Sequence, residues 1–151
     1  MSQTLNQLFK QATGVLPEQQ TQLSASGSNR RYFRLTAGEH SLIGVIGTSQ
    51  DENRAFLYMA DHFRSKGLNV PEVKMVSDDQ MTYLQQDLGD TLLFDYIADG
   101  RKTGVFSAKE KRMLHKTIQA LARFQVVGAE DFDFTQCYPQ PEFNQIGRAH
   151  V

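Results

Sequence analysis

Apolar residues recur along the chain at two periods, and each change of period marks a change of element. Leu5, Leu8, Phe9 and Ala12 fall at helical spacing, and Gly14 with Pro17 beyond it ends that run as a glycine C-cap would. From Thr21 the period shortens to that of a strand. Residues 21–25 lead into a turn of small residues at 26–29, after which Phe33 and Leu35 alternate with Tyr32 and Arg34, predicting a β-hairpin. A second turn at 37–40 leads to an apolar run of strand length at 41–47. Ala55, Phe56, Met59, Ala60 and Phe63 then mark one face of a helix that begins near Asp51 and closes at Lys66 and Gly67. Residues 71–76 and 81–86, separated by the acidic turn 77–80, predict a second hairpin, so the order is β-β-β-α-β-β.

After Asp87-Leu-Gly-Asp90 the pattern turns helical. Residues 91–97 predict a short helix, followed by a polar loop carrying Asp99, Gly100 and Gly104. Ser107 and Glu110 form a capping box, with Leu114, Thr117, Ile118, Leu121 and Phe124 along one face of the longest helix. Residues 128–144 hold acidic residues, three phenylalanines and two prolines without periodicity. The predicted class is α+β, a five-stranded antiparallel sheet with a helix after its third strand, followed by helices. No internal repeat, heptad run or low-complexity tract interrupts it.

Composition narrows the partners more than the fold. Sixteen Lys plus Arg against seventeen Asp plus Glu leave a net charge of -1, so no global field draws the 151-residue chain to nucleic acid or anionic lipid. The lone cysteine, Cys137, has no partner in the chain and fits a reducing compartment. The first residues lack a signal-peptide pattern, and no stretch approaches the ~20 apolar residues of a membrane span. A cytoplasmic protein without membrane or nucleic-acid partners is expected.

Most catalytic signatures are missing: the sequence has no phosphate loop, HExxH, CxxC, GxSxG or GxGxxG. The four histidines share no ligand spacing, which argues against a metal site. Ser26, Gly27, Ser28 and Asn29 form a turn whose N–H groups and hydroxyls can approach phosphates, with Arg30, Arg31 and Arg34 adding positive charge. An ordinary hairpin turn with solvated arginines explains the same residues. Glu52 complements the dipole of its helix, and Gly89 suggests a tight bend where strands give way to helices.

Together, order and spacing resemble the amino-terminal lobe of protein-kinase-like phosphotransferases, in particular the aminoglycoside phosphotransferase family. Ser26-Gly-Ser-Asn-Arg-Arg-Tyr-Phe-Arg-Leu is similar to the first hairpin of its bacterial amino-sugar kinase branch. Asp51-Glu-Asn-Arg-Ala-Phe is similar to the start of the family's αC helix. Gly67-Leu-Asn-Val-Pro-Glu-Val resembles its approach to strand four, and Tyr83-Leu-Gln-Gln-Asp-Leu-Gly-Asp its fifth strand and hinge. The resemblance covers roughly residues 20–127. It implies an ATP- and Mg2+-dependent transfer of the γ-phosphoryl group to a hydroxyl of a small-molecule acceptor, an amino sugar or aminoglycoside. Ser26 to Asn29 would cover the phosphates, Glu52 would be the αC glutamate, and the backbone of Gln86, Asp87 and Leu88 would meet adenine.

Two departures qualify the resemblance. The third strand carries no lysine to pair with the glutamate and the phosphates, which assigns that charge to Arg31 or Arg34 on the neighbouring strand. The H-x-D-x-x-x-x-N loop and its following Asp are also absent, so the chain carries no catalytic residue and the magnesium ligands are expected outside it. The final six residues, Ile146-Gly-Arg-Ala-His-Val, translate ATCGGAAGAGCACACGTC, a common sequencing-adapter string, and a vector scar or a chance ending are alternatives. The expected division is therefore an N-terminal helical segment at 1–19, a kinase-like lobe at 20–87, a hinge with the start of a second lobe at 88–145, and a non-native tail at 146–151. Such a fragment would not turn over substrate alone and would expose an apolar helix face. A pseudokinase that binds nucleotide without turnover, and a small α+β interaction module, are the competing readings.

Overall fold

The structure, a computed structural model, describes residues 4–24 and 29–139. The turn residues Ser26, Gly27 and Ser28 and the tail 146–151 therefore lie outside the described residues. Helix α1 (Leu5–Thr13) opens with a capping box in which Thr4 Oγ1 accepts the Gln7 N–H and Gln7 Oε1 accepts the Thr4 N–H. It closes at Gly14, whose left-handed φ of 84° lets its N–H donate to the Lys10 carbonyl.

Strands β1 (Gln19–Leu23), β2 (Arg31–Ala37) and β3 (His40–Ile46) follow, then helix α2 (Gln50–Ser65), β4 (Val73–Val76) and β5 (Thr82–Gln86). They form one five-stranded sheet in the order β1-β2-β3-β5-β4, with every neighbouring pair antiparallel. The two hairpins read from the sequence are both present. Their junction is non-sequential, because β5 rather than β4 lies against β3.

Alternation along the strands divides the core between the two faces of the sheet. Leu35 of β2 and Leu84 of β5 point to the face that α1 covers with Leu5, Leu8 and Phe9. Ile43, Val45 and Tyr83 point to the other, where Phe56 and Leu57 of α2 pack and the Phe56 and Tyr83 rings stack with centroids 5.0 Å apart. Gly44 lies at the centre of the α1 side, where a Cβ would stand 2.6 Å from Leu5 Cδ2 and 2.8 Å from Leu35 Cδ1. A glycine at that point lets α1 settle close to the sheet.

Beyond β5 come α3 (Leu93–Tyr96), α4 (Ala98–Thr103) and α5 (Ala108–Val126), then a 3-10 turn at Phe134–Gln136. The expected loop around Gly100 is thus corrected to a helix. Its polar, glycine-containing sequence is overridden by tertiary contacts: the Gly100 N–H donates to Glu110 Oε1 at 2.9 Å, and the missing side chain makes room for the Phe106 ring. Helix α5 carries the expected capping box, with Ser107 Oγ accepting the Glu110 N–H and Glu110 Oε2 accepting the Ser107 N–H. Phe124 of α5 meets Phe63 of α2, and Phe132 inserts beside Tyr58, His62 and Phe63. The aperiodic stretch after α5 is in this way tied to α2, with His62 Nε2 3.0 Å from the Gly128 carbonyl oxygen and the Asp133 N–H donating to the Tyr58 hydroxyl at 2.7 Å. Ile118, Leu121 and Val126 remain exposed on α5. Among the described residues, no helix is long and apolar enough to cross a membrane.

Candidate functional site

The start of α2 is fixed from three directions. Ser49 Oγ accepts the Glu52 N–H as an N-cap. Asn53 is fully buried and donates through Nδ2 to the carbonyls of Gln80 and Met81 in the β4–β5 turn, at 2.9 and 3.1 Å. Gly47 completes the arrangement: its N–H donates to the Met81 carbonyl, and a Cβ in its place would collide with the Asn53 amide. Glu52 is thereby held at the sheet.

Its partner is Arg30. The guanidinium Nη2 lies 3.1 Å from Glu52 Oε1 and donates to the Glu52 carbonyl at 3.2 Å, while Nη1 donates to the Tyr83 hydroxyl at 3.4 Å. The same group lies 5.2 Å over the Phe56 ring, a cation–π contact. The Arg30 side chain is 10% exposed and that of Glu52 41% exposed, so the acid faces solvent while the cation is set into the wall behind it. Burial pushes the Tyr83 phenol up from its ordinary value, which keeps it neutral beside the arginine.

Arg34, four residues further on and within β2, makes a different contact. It forms a two-pronged pair with Asp87, Nε to Oδ2 at 2.7 Å and Nη2 to Oδ1 at 3.0 Å, and donates to both oxygens of Asp90 at 3.0 and 2.8 Å. Ser41 Oγ adds a bond to Asp87 Oδ2 at 2.6 Å, and the Gly89 N–H donates to Asp87 Oδ1 at 2.9 Å, closing the bend expected at that glycine. Burial works against the Asp87 charge, but the bonds from Arg34, Ser41 and Gly89 outweigh it and hold its pKa down at about 2. The paired carboxylates of Asp90 and Asp87 raise the Arg34 pKa in turn.

Beside the Arg34, Asp87 and Asp90 cluster opens a cleft of about 400 Å3. Leu23, Tyr32, Arg34 and Ile43 line it from the sheet, and Gln85 through Asp90 from the chain leaving β5. The volume and the mixture of apolar and polar walls suit a small organic ligand.

Gln86, Asp87 and Leu88 therefore come together at the cleft with Arg34, while Glu52 lies at the far end of β2. Asn29 is exposed just ahead of β2. Arg31 is exposed too, and shares the alternation of Phe33 and Leu35, which belongs to the opposite face. The expectation that Arg31 or Arg34 partners Glu52 is corrected to Arg30. Arg34 is bound to two carboxylates and Arg31 has the wrong parity. Strand parity was the available signal, since Arg30, Tyr32 and Arg34 alternate on one face; Ser41, Ile43 and Asp90 needed the register between strands. Among the described residues, no group of three or more His, Cys, Asp or Glu is placed to hold a metal ion.

In comparisons with known proteins, no family model and no curated protein matches the chain.

Proposed function

We propose that the chain holds the nucleotide-binding part of a protein-kinase-like phosphotransferase, which moves the γ-phosphoryl group of ATP to a hydroxyl of a small acceptor, an amino sugar or aminoglycoside, in the cytoplasm. The cleft between the β2–β3 face and the segment leaving β5 carries this reading. In it, the backbone of Gln86, Asp87 and Leu88 would meet the edge of the base, and Leu23, Tyr32 and Ile43 would pack on its ring. The order of elements adds support: three strands, a helix with an acidic first turn, two strands, then a short connector into helices.

Magnesium supplies charge neutralisation to phosphates in reactions of this kind. The described residues offer no cluster to hold it, so the proposal assigns its ligands to residues outside them. What the described residues would contribute is binding and orientation: the apolar walls of the cleft would pack on the base, and the Arg34–Asp87 contact fixes the segment that would meet it.

Titrating Mg2+-ATP and adenosine into the natural full-length protein, followed by an assay of phosphate transfer to N-acetylglucosamine, N-acetylmuramate and an aminoglycoside, tests the proposal. Saturable binding of both nucleotide ligands with transfer to one acceptor is expected; failure to bind either ligand would sink it. A pseudokinase is favoured by one observation, the buried Val45 on the cleft-facing side of β3 where no cation stands. Binding without transfer to any hydroxyl acceptor would select that reading.

A further inference from the structure

We propose that the outer edge of β1 is a docking surface for a second copy of this chain, which pairs with it as an antiparallel strand across a two-fold axis and joins the two sheets into one. β1 is an outermost strand, and among the described residues its hydrogen-bonded neighbour in the sheet is β2. Its other side offers N–H and C=O groups to a further strand, a template that sheet proteins ordinarily guard with charge, proline, a bulge or a covering element. The sequence of β1 supplies no such guard. Gln19 through Leu23 are uncharged, all but Leu23 are exposed, and the uncharged run continues in sequence to Asn29.

The opposite edge is built differently. β4 breaks register between Val73 and Met75, and it carries Lys74, which donates to Glu72 at 2.6 Å, with Arg64 of α2 on the same carboxylate at 3.3 Å. An irregular, charged edge rejects a further strand, and the β1 edge does not.

The order of residues in β1 selects the occupant. An antiparallel copy centred on Thr21 sets Thr21 against its own counterpart, Gln20 against Gln22 and Gln19 against Leu23. The nearest charge, Glu18, then faces Ser24, so no like charges oppose each other, and the facing threonines and glutamines can hydrogen-bond. One such pairing uses the free edge of both copies and closes the assembly as a dimer. Thr21 is paired with Arg34 in β2, whereas Gln20 and Gln22 are paired with Leu35 and Phe33 and lie on the α1 side of the sheet. The edge can therefore be altered through the glutamines without touching the cleft.

Sedimentation velocity of the natural full-length protein tests the assignment. A reversible dimer whose fraction rises through the micromolar range is expected. Gln20→Lys with Gln22→Lys, which sets like charges against each other across the axis, should weaken dimerisation roughly 10-fold or more and leave the circular dichroism unchanged. Thr21→Cys in a Cys137→Ser background should form a disulfide-linked dimer on mild oxidation, because directly opposed residues of an antiparallel pair stand about 4.5–5.5 Å apart at Cα, within the span of a disulfide. Gln19→Cys in the same background, far from its own counterpart, should not. A monomer throughout that range overturns the proposal. So does a dimer that the two lysines leave intact and Thr21→Cys does not link, since it would form through another surface.

Discussion

Gly47 shows how much a single missing side chain can settle. A Cβ there meets the Asn53 amide, the buried group that pins α2 to the β4–β5 turn. Gly47→Ala should cost about 1–3 kcal/mol in urea unfolding, as overpacking at a buried site does. The companion change Asn53→Ala should cost a similar amount without a clash, through the lost bonds to Gln80 and Met81. Asp87 offers a different test, because its pKa is held at about 2, below that of an aspartate in the unfolded chain. An acid with a lowered folded pKa stabilises the protein above the unfolded value and loses that contribution as pH falls through the folded one. The stability advantage of the wild type over Asp87→Asn should therefore be full at pH 7, decline from about pH 4 and vanish near about pH 2. Denaturant midpoints across that range measure it, and an advantage independent of pH would show that the carboxylate charge is not what matters. At this scale the sequence was half legible. Glu52 and Arg34 stood out by type and position and Asp87 only for its backbone, but the Arg34–Asp87 pair joins residues 53 apart, and nothing local predicts which carboxylate an arginine will meet across that distance.

Elements were most legible where a period and a cap coincide. Helix α5 has both, and so does the glycine-terminated α1. Helix α4 has no period and no side-chain N-cap, only a left-handed glycine, Gly104, at its end, and Glu110 and Phe106 accept a glycine backbone against them. The phenylalanines after α5 had no period to betray them, since a cluster assembled from two helices and a connecting stretch leaves no repeat in any one of them. Phe132→Ala should lower stability by about 2 kcal/mol, less than a fully buried phenylalanine would, and loosen α5 from α2. Scanning calorimetry would register the loss, while an unchanged midpoint would show that the ring contacts do not tie the helices together. The outer face of α5 gives a complementary expectation. With Ile118 64% and Leu121 57% exposed, the 151-residue chain should bind an apolar dye, and Ile118→Lys with Leu121→Glu should reduce that fluorescence without loss of stability.

On the scale of the whole molecule, sequence order predicted the kinds of element and their succession, whereas the insertion of β5 between β3 and β4 had to come from the structure. Hairpins are local and leave turn signals; pairing between distant strands is chosen by which faces can be buried together. Here α1 and α2 cover opposite faces of one sheet, and every strand residue must serve one side or the other. That division restricts how the chain can change in length. Arg30, just ahead of β2, and Arg34 within it reach different partners on one side of the sheet because an odd number of residues, three, separates them. A single insertion or deletion within 31–33 would turn one arginine toward the α1 side, where Leu8 and Phe9 leave a charge no partner. Any protein built on the same plan must keep that interval as strictly as the arginines themselves, a constraint on spacing that comparison of residue identities alone would not impose.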